Sequence, residues 1–111
     1  EFAAASASDA ETKATIKQCF AATGELLDPH TAVGLCAGNK ARKDTKTPMP
    51  KTPMVLLATA HPAKFPDAVE SASGVHPTLP AHLADLFTRE ERFVRLANDA
   101  SEVKRFIEGN I

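Results

Sequence analysis

The chain has no tryptophan and no tyrosine, and its six phenylalanines are scattered. Stacking platforms for nucleobases are therefore missing. A net charge of −1 without a long basic run removes the electrostatic footprint of nucleic-acid binding as well. No apolar run approaches the ~20 residues of a membrane span, so no membrane partner is expected. The two cysteines, Cys19 and Cys36, fall on separate predicted helices and match neither a disulfide framework nor metal-ligand spacing. They read as reduced, buried thiols of a cytoplasmic protein. The four histidines, His30, His61, His76 and His82, lack His-x-x-x-His and Cys/His zinc patterns, so no metal is expected. There is no Gly-x-Ser-x-Gly elbow, no P-loop and no Gly-x-Gly-x-x-Gly.

What remains is an ordinary globular composition, 43% hydrophobic and 24% charged, enough for one modest domain. Residues 1–8 open on Glu1-Phe2, the dipeptide an EcoRI site encodes in frame. An Ala/Ser-rich lead-in follows. They read as a cloning junction or flexible linker, with 9–111 as a single α/β region taken from a longer chain. Ser8-Asp-Ala-Glu11 is a capping box that opens a helix to Thr23, stopped by Gly24. Ile16, Cys19, Phe20 and Thr23 share one face of it. Asp28 caps a second helix over 29–42, with Pro29 at its first position. Ala32, Val33, Leu35, Cys36 and Ala37 make it apolar around most of its circumference, which predicts burial.

Thr47-Pro-Met recurs as Thr52-Pro-Met in a proline-rich loop. Residues 54–59 form a nearly all-apolar run, predicted to be a strand buried on both faces. A helix is predicted over 63–73, ending at Gly74. A short helix over 80–87 should turn Leu83, Leu86 and Phe87 inward. A half-exposed strand over 91–96 follows, then a helix capped by Asn98 or Asp99 and running to about 108. The order helix, helix, strand, helix, helix, strand, helix is α/β with helices on a small incomplete sheet. Two strands cannot cover the apolar helix 29–42. The chain is therefore expected to pack on structure outside itself, or to self-associate through Ala32, Val33, Leu35 and Cys36.

Candidate chemistry gathers at two places. A helix N-terminus attracts anions, which makes His30 and Thr31 candidate ligand contacts. The plain alternative is capping. Thr59 and His61 lie where a strand gives way to a His-Pro turn, the end at which open α/β sheets bind ligands. The alternative there is a backbone-bonded Thr and a turn-packed His. Lys64 reads as a solvated helix lysine.

Two stretches, Leu27-Asp-Pro-His-Thr-Ala-Val-Gly34 and Ala58-Thr-Ala-His-Pro-Ala-Lys-Phe65, closely resemble the C-terminal region of threonine synthases, and the likeness extends over about residues 9–108. These are pyridoxal-phosphate lyases of the tryptophan-synthase-β-like fold, which convert O-phospho-L-homoserine and water to L-threonine and phosphate. The resemblance implies a cofactor-binding Thr59 at the pyridine nitrogen, with His30, Thr31 and His61 as further candidates. The Thr47–Pro53 repeat departs from the family's compact loop. The resemblance also implies that the Schiff-base lysine and the Gly-rich phosphate loop belong to upstream parts of a parent. No catalytic residue is then expected in this stretch, which alone would be inactive and would not hold pyridoxal phosphate stably. Its partners would be the remainder of the parent enzyme and the substrate O-phosphohomoserine. The competing reading is a stand-alone interaction module that docks through the helix 29–42.

Overall fold

The computed structural model describes residues 4–44 and 53–111, and the paired Thr-Pro-Met loop lies almost wholly outside them. Residues up to 80 form one compact unit and residues 81–111 a second.

In the first unit, helix α1 spans Asp9–Thr23. Ser8 Oγ accepts the Glu11 N–H at 3.3 Å, and Glu11 Oε2 accepts the Ser8 N–H at 2.8 Å, so the capping box closes from both sides. Gly24 ends the helix at φ 78°, a left-handed conformation that an L side chain resists, and donates its N–H to Phe20. Helix α2 spans Pro29–Asp44, and helix α3 spans Pro66–Ser73. Helix α1 packs on both. Each helix supplies a residue that is almost wholly buried: Ile16 from α1, Ala32 from α2 and Val69 from α3. Burying side chains such as Ile16 and Val69 contributes about 1.5–3 kcal/mol each. Lys40 of α2 closes the side of this bundle. Its Nζ lies 2.6 Å from Glu11 Oε1 and donates to the Ser6 carbonyl at 2.8 Å. The Lys40 ammonium, helped by the Ser8 N–H and hydroxyl, holds the Glu11 carboxyl down to about 2, and Glu11 raises Lys40 in return.

Among the described residues no strand forms, so the expected sheet is not seen within this chain. The run 54–59 has no strand partner among the described residues, and a strand is defined by its partner. Its side chains nevertheless split by face. Met54 and Leu56 are half-buried, whereas Val55 and Leu57 are 83% and 79% exposed. A Cβ placed on Gly38 would stand 2.7 Å from Met54 Sδ, and one on Gly34 would stand 4.0 Å from Leu56 Cδ2. Leu56 Cδ2 also stands 3.9 Å from the Gly38 Cβ position, so Leu56 reaches both glycines and Met54 reaches Gly38. The start of the run therefore rests, through Met54 and Leu56, on the Gly34–Gly38 stripe of α2. Burial on both faces was the wrong expectation: one face sits on α2, and the other is bare. The docking face foreseen on 29–42 is likewise largely covered. Ala32 is wholly buried, Leu35 and Cys36 are half-buried, and Val33 remains 37% exposed. Both cysteines are free and half-buried, not fully buried.

The helix predicted over 63–73 is broken in two. A 3-10 turn, Pro62–Lys64, precedes α3, and Phe65 between them takes φ −134°, ψ 55°. Pro66 causes the break, because its ring excludes the helical conformation from the residue before it. Gly74, at φ 75°, stops α3 as expected.

The second unit holds two 3-10 turns, Ala81–Leu83 and Leu86–Thr88, in place of one short helix. A bidentate pair fixes this stretch: Arg89 Nε donates to Asp85 Oδ2 at 2.9 Å and Nη2 to Oδ1 at 2.6 Å. Leu86 and Phe87 point outward, 44% and 78% exposed, contrary to the inward placement expected, and only Leu83 is half-buried. Residues 91–96 have no strand partner either. Helix α4, Ala100–Glu108, is capped by Asp99, whose Oδ1 accepts from Ser101 and Glu102 at 2.8 and 2.9 Å. No described helix is long and apolar enough to cross a membrane.

Candidate functional site

Asp28 is the most heavily engaged polar residue of the first unit. Its side chain is 1% exposed, and donors from two residues, His30 and Thr31, converge on it. The His30 N–H reaches Oδ1 at 2.8 Å, the Thr31 N–H lies 3.4 Å from both oxygens, and the Thr31 hydroxyl donates to Oδ2. His30 Nδ1 adds a contact of 3.2 Å to Oδ1. Burial works against the charge. The Thr31 hydroxyl and the His30 and Thr31 N–H groups outweigh it and hold the carboxyl below its usual range. The electropositive start of α2 is therefore already occupied by the chain's own carboxylate. The His30 and Thr31 N–H groups and the Thr31 hydroxyl serve this cap, while the exposed His30 ring is engaged only through Nδ1.

The His30 ring also packs on Phe65, with centroids 5.0 Å apart and planes tilted by 52°. Phe65 is the junction between the 3-10 turn and α3, so this contact joins the start of α2 to the turn that follows the extended run. Within that turn, His61 Nδ1 accepts the Ala63 N–H at 3.1 Å, so in the neutral ring the proton resides on Nε2. The Lys64 N–H closes on the His61 carbonyl at 3.0 Å.

An open cleft of about 490 Å³ lies between three backbone stretches of this unit. One wall is the link 25–28 with Thr31, a second is Ala58 and Ala60–Pro62, and the third is 75–78. The structure thus brings Thr31 and His61 to one cleft. His30 and Thr59 are not on its walls. Met54 and Leu56 are half-buried and Ala58 and Ala60 line the cleft, whereas Val55, Leu57 and Thr59 are exposed and off its walls. Thr59 is exposed, and its hydroxyl has no hydrogen-bond partner among the described residues. Lys64 is exposed, with Nζ 6.0 Å from the centre of the Phe65 ring.

Sequence reasoning missed two participants. His76 lines the cleft and pairs with Glu70, Nδ1 to Oε2 at 2.7 Å. Gly74 reverses the chain between them, and that glycine was the available signal. The Phe65–His30 contact had none, because 35 residues separate the two rings in sequence. No cluster of His, Cys, Asp and Glu able to hold a metal occurs among the described residues.

Residues 31–107 match the family described as threonine synthase, C-terminal. The chain belongs to that family. The threonine synthase of Pseudomonas aeruginosa is 50% identical over 101 residues, which cover 90% of this chain and 20% of that protein. The threonine synthase of Saccharomyces cerevisiae is 36% identical over 123 residues, 97% of this chain and 23% of that protein. A crystal structure of PLP-bound threonine synthase from Brucella melitensis superposes with a TM-score of 0.66 at 46% identity, covering 91% of this chain and 20% of that one. The chain therefore spans about a fifth of the length of the threonine synthases it matches. Membership also gives no support to a stand-alone interaction module.

Proposed function

We propose that this chain is the C-terminal part of a threonine synthase, a pyridoxal-phosphate lyase that converts O-phospho-L-homoserine and water to L-threonine and phosphate. The family match and the relatives' names support it. The observation that carries the site is the bare face of the run 54–59. Val55 and Leu57 are apolar and exposed, and Thr59 ends that same face with an uncommitted hydroxyl. In this reading, strands from the rest of the parent cover Val55 and Leu57 and complete the α/β sheet. Residues 9–111 are one region of that fold, tied to the segment before them through Ser6 and Ser8, in a cytoplasmic enzyme.

The donor set fits the cofactor at one point. Thr31, His30 and His61 each have a side-chain polar atom engaged locally, which leaves Thr59 as the hydroxyl free to meet a pyridine nitrogen. When bound, pyridoxal phosphate supplies an electron sink for carbanionic charge. A neutral hydroxyl orients the ring and leaves its nitrogen less protonated than a carboxylate would, moderating that sink. The α2 N-terminus is occupied by Asp28, so the phosphate and the lysine attachment fall to the upstream parent, and the chain alone is inactive.

The test uses the full-length parent. Deleting one neutral hydrogen bond by Thr59→Ala should cost about 0.5–1.5 kcal/mol in cofactor binding. Turnover should fall further if the contact strengthens as charge develops, and the melting temperature should stay close to wild type. Thr59→Asp should shift the cofactor absorbance. Wild-type turnover in the first variant with an unshifted spectrum in the second would remove Thr59 from the site.

A further inference from the structure

The turn that carries Thr59 and His61 is held from outside by a contact the proposed chemistry does not use. We propose that Asp28, His30 and Phe65 form a clasp of positioning residues that fixes the turn 59–65 against the start of α2. The order of contacts makes the case. Asp28 is buried and anchored by the first N–H groups of α2, so its carboxylate is a fixed point. It receives Nδ1 of His30 and thereby sets the ring's orientation, as a carboxylate does for a histidine that must hold one pose. The oriented ring meets Phe65, whose own N–H closes on the Pro62 carbonyl at 2.9 Å and whose carbonyl accepts the first α3 bond from Val69 at 3.0 Å. Phe65 therefore cannot shift without moving both the 3-10 turn and α3. Ala63 buries its methyl group and steadies the middle of the turn. Thr59 and His61 at its start are exposed and its hydrogen bonds are short-range, so the His30–Phe65 ring pair is the contact that ties its far end to the start of α2.

The His30 side chain is 61% exposed, so the clasp is not part of the buried core. Removing its ring should loosen the turn without unfolding the unit. That separates a positioning role from a purely structural one.

The kinetic arm of the test rests on the proposed enzymatic reading, and the exchange arm does not. In the full-length parent, His30→Gln and Phe65→Leu are compared by hydrogen exchange on peptides covering 58–66 and, as a control, 12–22 of α1. Each variant should raise exchange in the first peptide about tenfold and leave the second unchanged. Phe65→Tyr, which keeps the ring, should restore the wild-type rate. The double variant should exchange no faster than either single one, because both break the same contact. With the melting temperature unmoved, kcat should fall about three- to tenfold with a smaller change in KM, as for a displaced reacting geometry. Unchanged exchange at 58–66, or additive effects in the double variant, would overturn the clasp. Faster exchange with unchanged kcat would overturn its positioning role. If Thr59→Ala leaves turnover at wild type, the enzymatic placement of Thr59 fails, and the exchange results alone then decide the clasp.

Discussion

Replacing Asp28 tests the central local feature of this fold. The carboxylate is 1% exposed and serves the His30 N–H, the Thr31 N–H and the Thr31 hydroxyl together. Asp28→Ala removes the cap and leaves those donors facing a space from which water is largely excluded. Loss of a cap and stranding of buried donors together predict a destabilisation of about 2–4 kcal/mol. Asp28→Asn keeps one acceptor oxygen for the N–H groups but loses the charge and the second oxygen, so about 1–2 kcal/mol is expected. The dependence on pH is the sharper part. Folding lowers the Asp28 pKa, so the charged group contributes stability above its unfolded value, near 3.8, and loses it as pH falls through the lower folded value. The gap between wild type and Asp28→Asn should be constant from neutral pH to about 5 and should close progressively below about 4. Urea unfolding followed by far-ultraviolet circular dichroism across that range measures it. A variant as stable as wild type at neutral pH would refute the argument, and so would a gap that persists unchanged into acid.

The remaining expectations concern the surfaces that flank this cap. Gly34→Ala meets Leu56 Cδ2 at an ordinary 4.0 Å and should stabilise α2 by up to about 1 kcal/mol from helix propensity, whereas Gly38→Ala drives a Cβ to within 2.7 Å of Met54 Sδ and should gain less. Equal gains in thermal melts would mean that the run 54–56 does not press on that stripe. Lys40→Met should let Glu11 titrate closer to 4.5 than to about 2, which carboxyl NMR signals would follow. An unmoved titration would assign the shift to Ser8 alone. Leu57→Lys should leave the melting of this chain within about 0.5 kcal/mol of wild type, because the side chain is 79% exposed, yet it should abolish soluble assembly of the full-length parent. Equal tolerance in both contexts would show that the bare face is solvent-facing in the parent too.

The features legible in the sequence were those decided within one turn of chain. Ser8 with Glu11, Gly24, Asp28, Gly74 and Asp99 each act on backbone groups a few residues away, and all five appear as caps. The break at Phe65 is equally local, since Pro66 keeps the residue before it out of the helical conformation. The strands were not decided locally. The composition of 54–59 specifies what such a run can do, while a ladder depends on backbone supplied from elsewhere. Leu86 and Phe87 failed for the same reason: an apolar residue turns inward only where there is an interior to receive it. In the site, the candidates Thr31, His61, His30 and Thr59 were recognisable as residues. Their division between cleft and bare face was not, because it depends on which side of the run settles on Gly34 and Gly38.

That settling has a consequence for how labour is divided within the proposed enzyme. The side of the run that holds it in place, Met54 and Leu56, uses contacts within this chain and needs only two glycines that let an extended backbone approach a helix. The opposite side, Val55, Leu57 and Thr59, is left for another part of the parent. Because extended side chains alternate, packing one set on α2 commits the other set to point away from it. In the proposed reading, the direction of the hydroxyl at position 59 then depends both on the seating of Met54 and Leu56 on α2 and on the turn that follows. Shifting the run by one residue would exchange the faces. Thr59 would then point to the α2 side and Ala58 to the open one, so the register at Gly34 and Gly38 helps determine whether a hydroxyl or a methyl group is presented there.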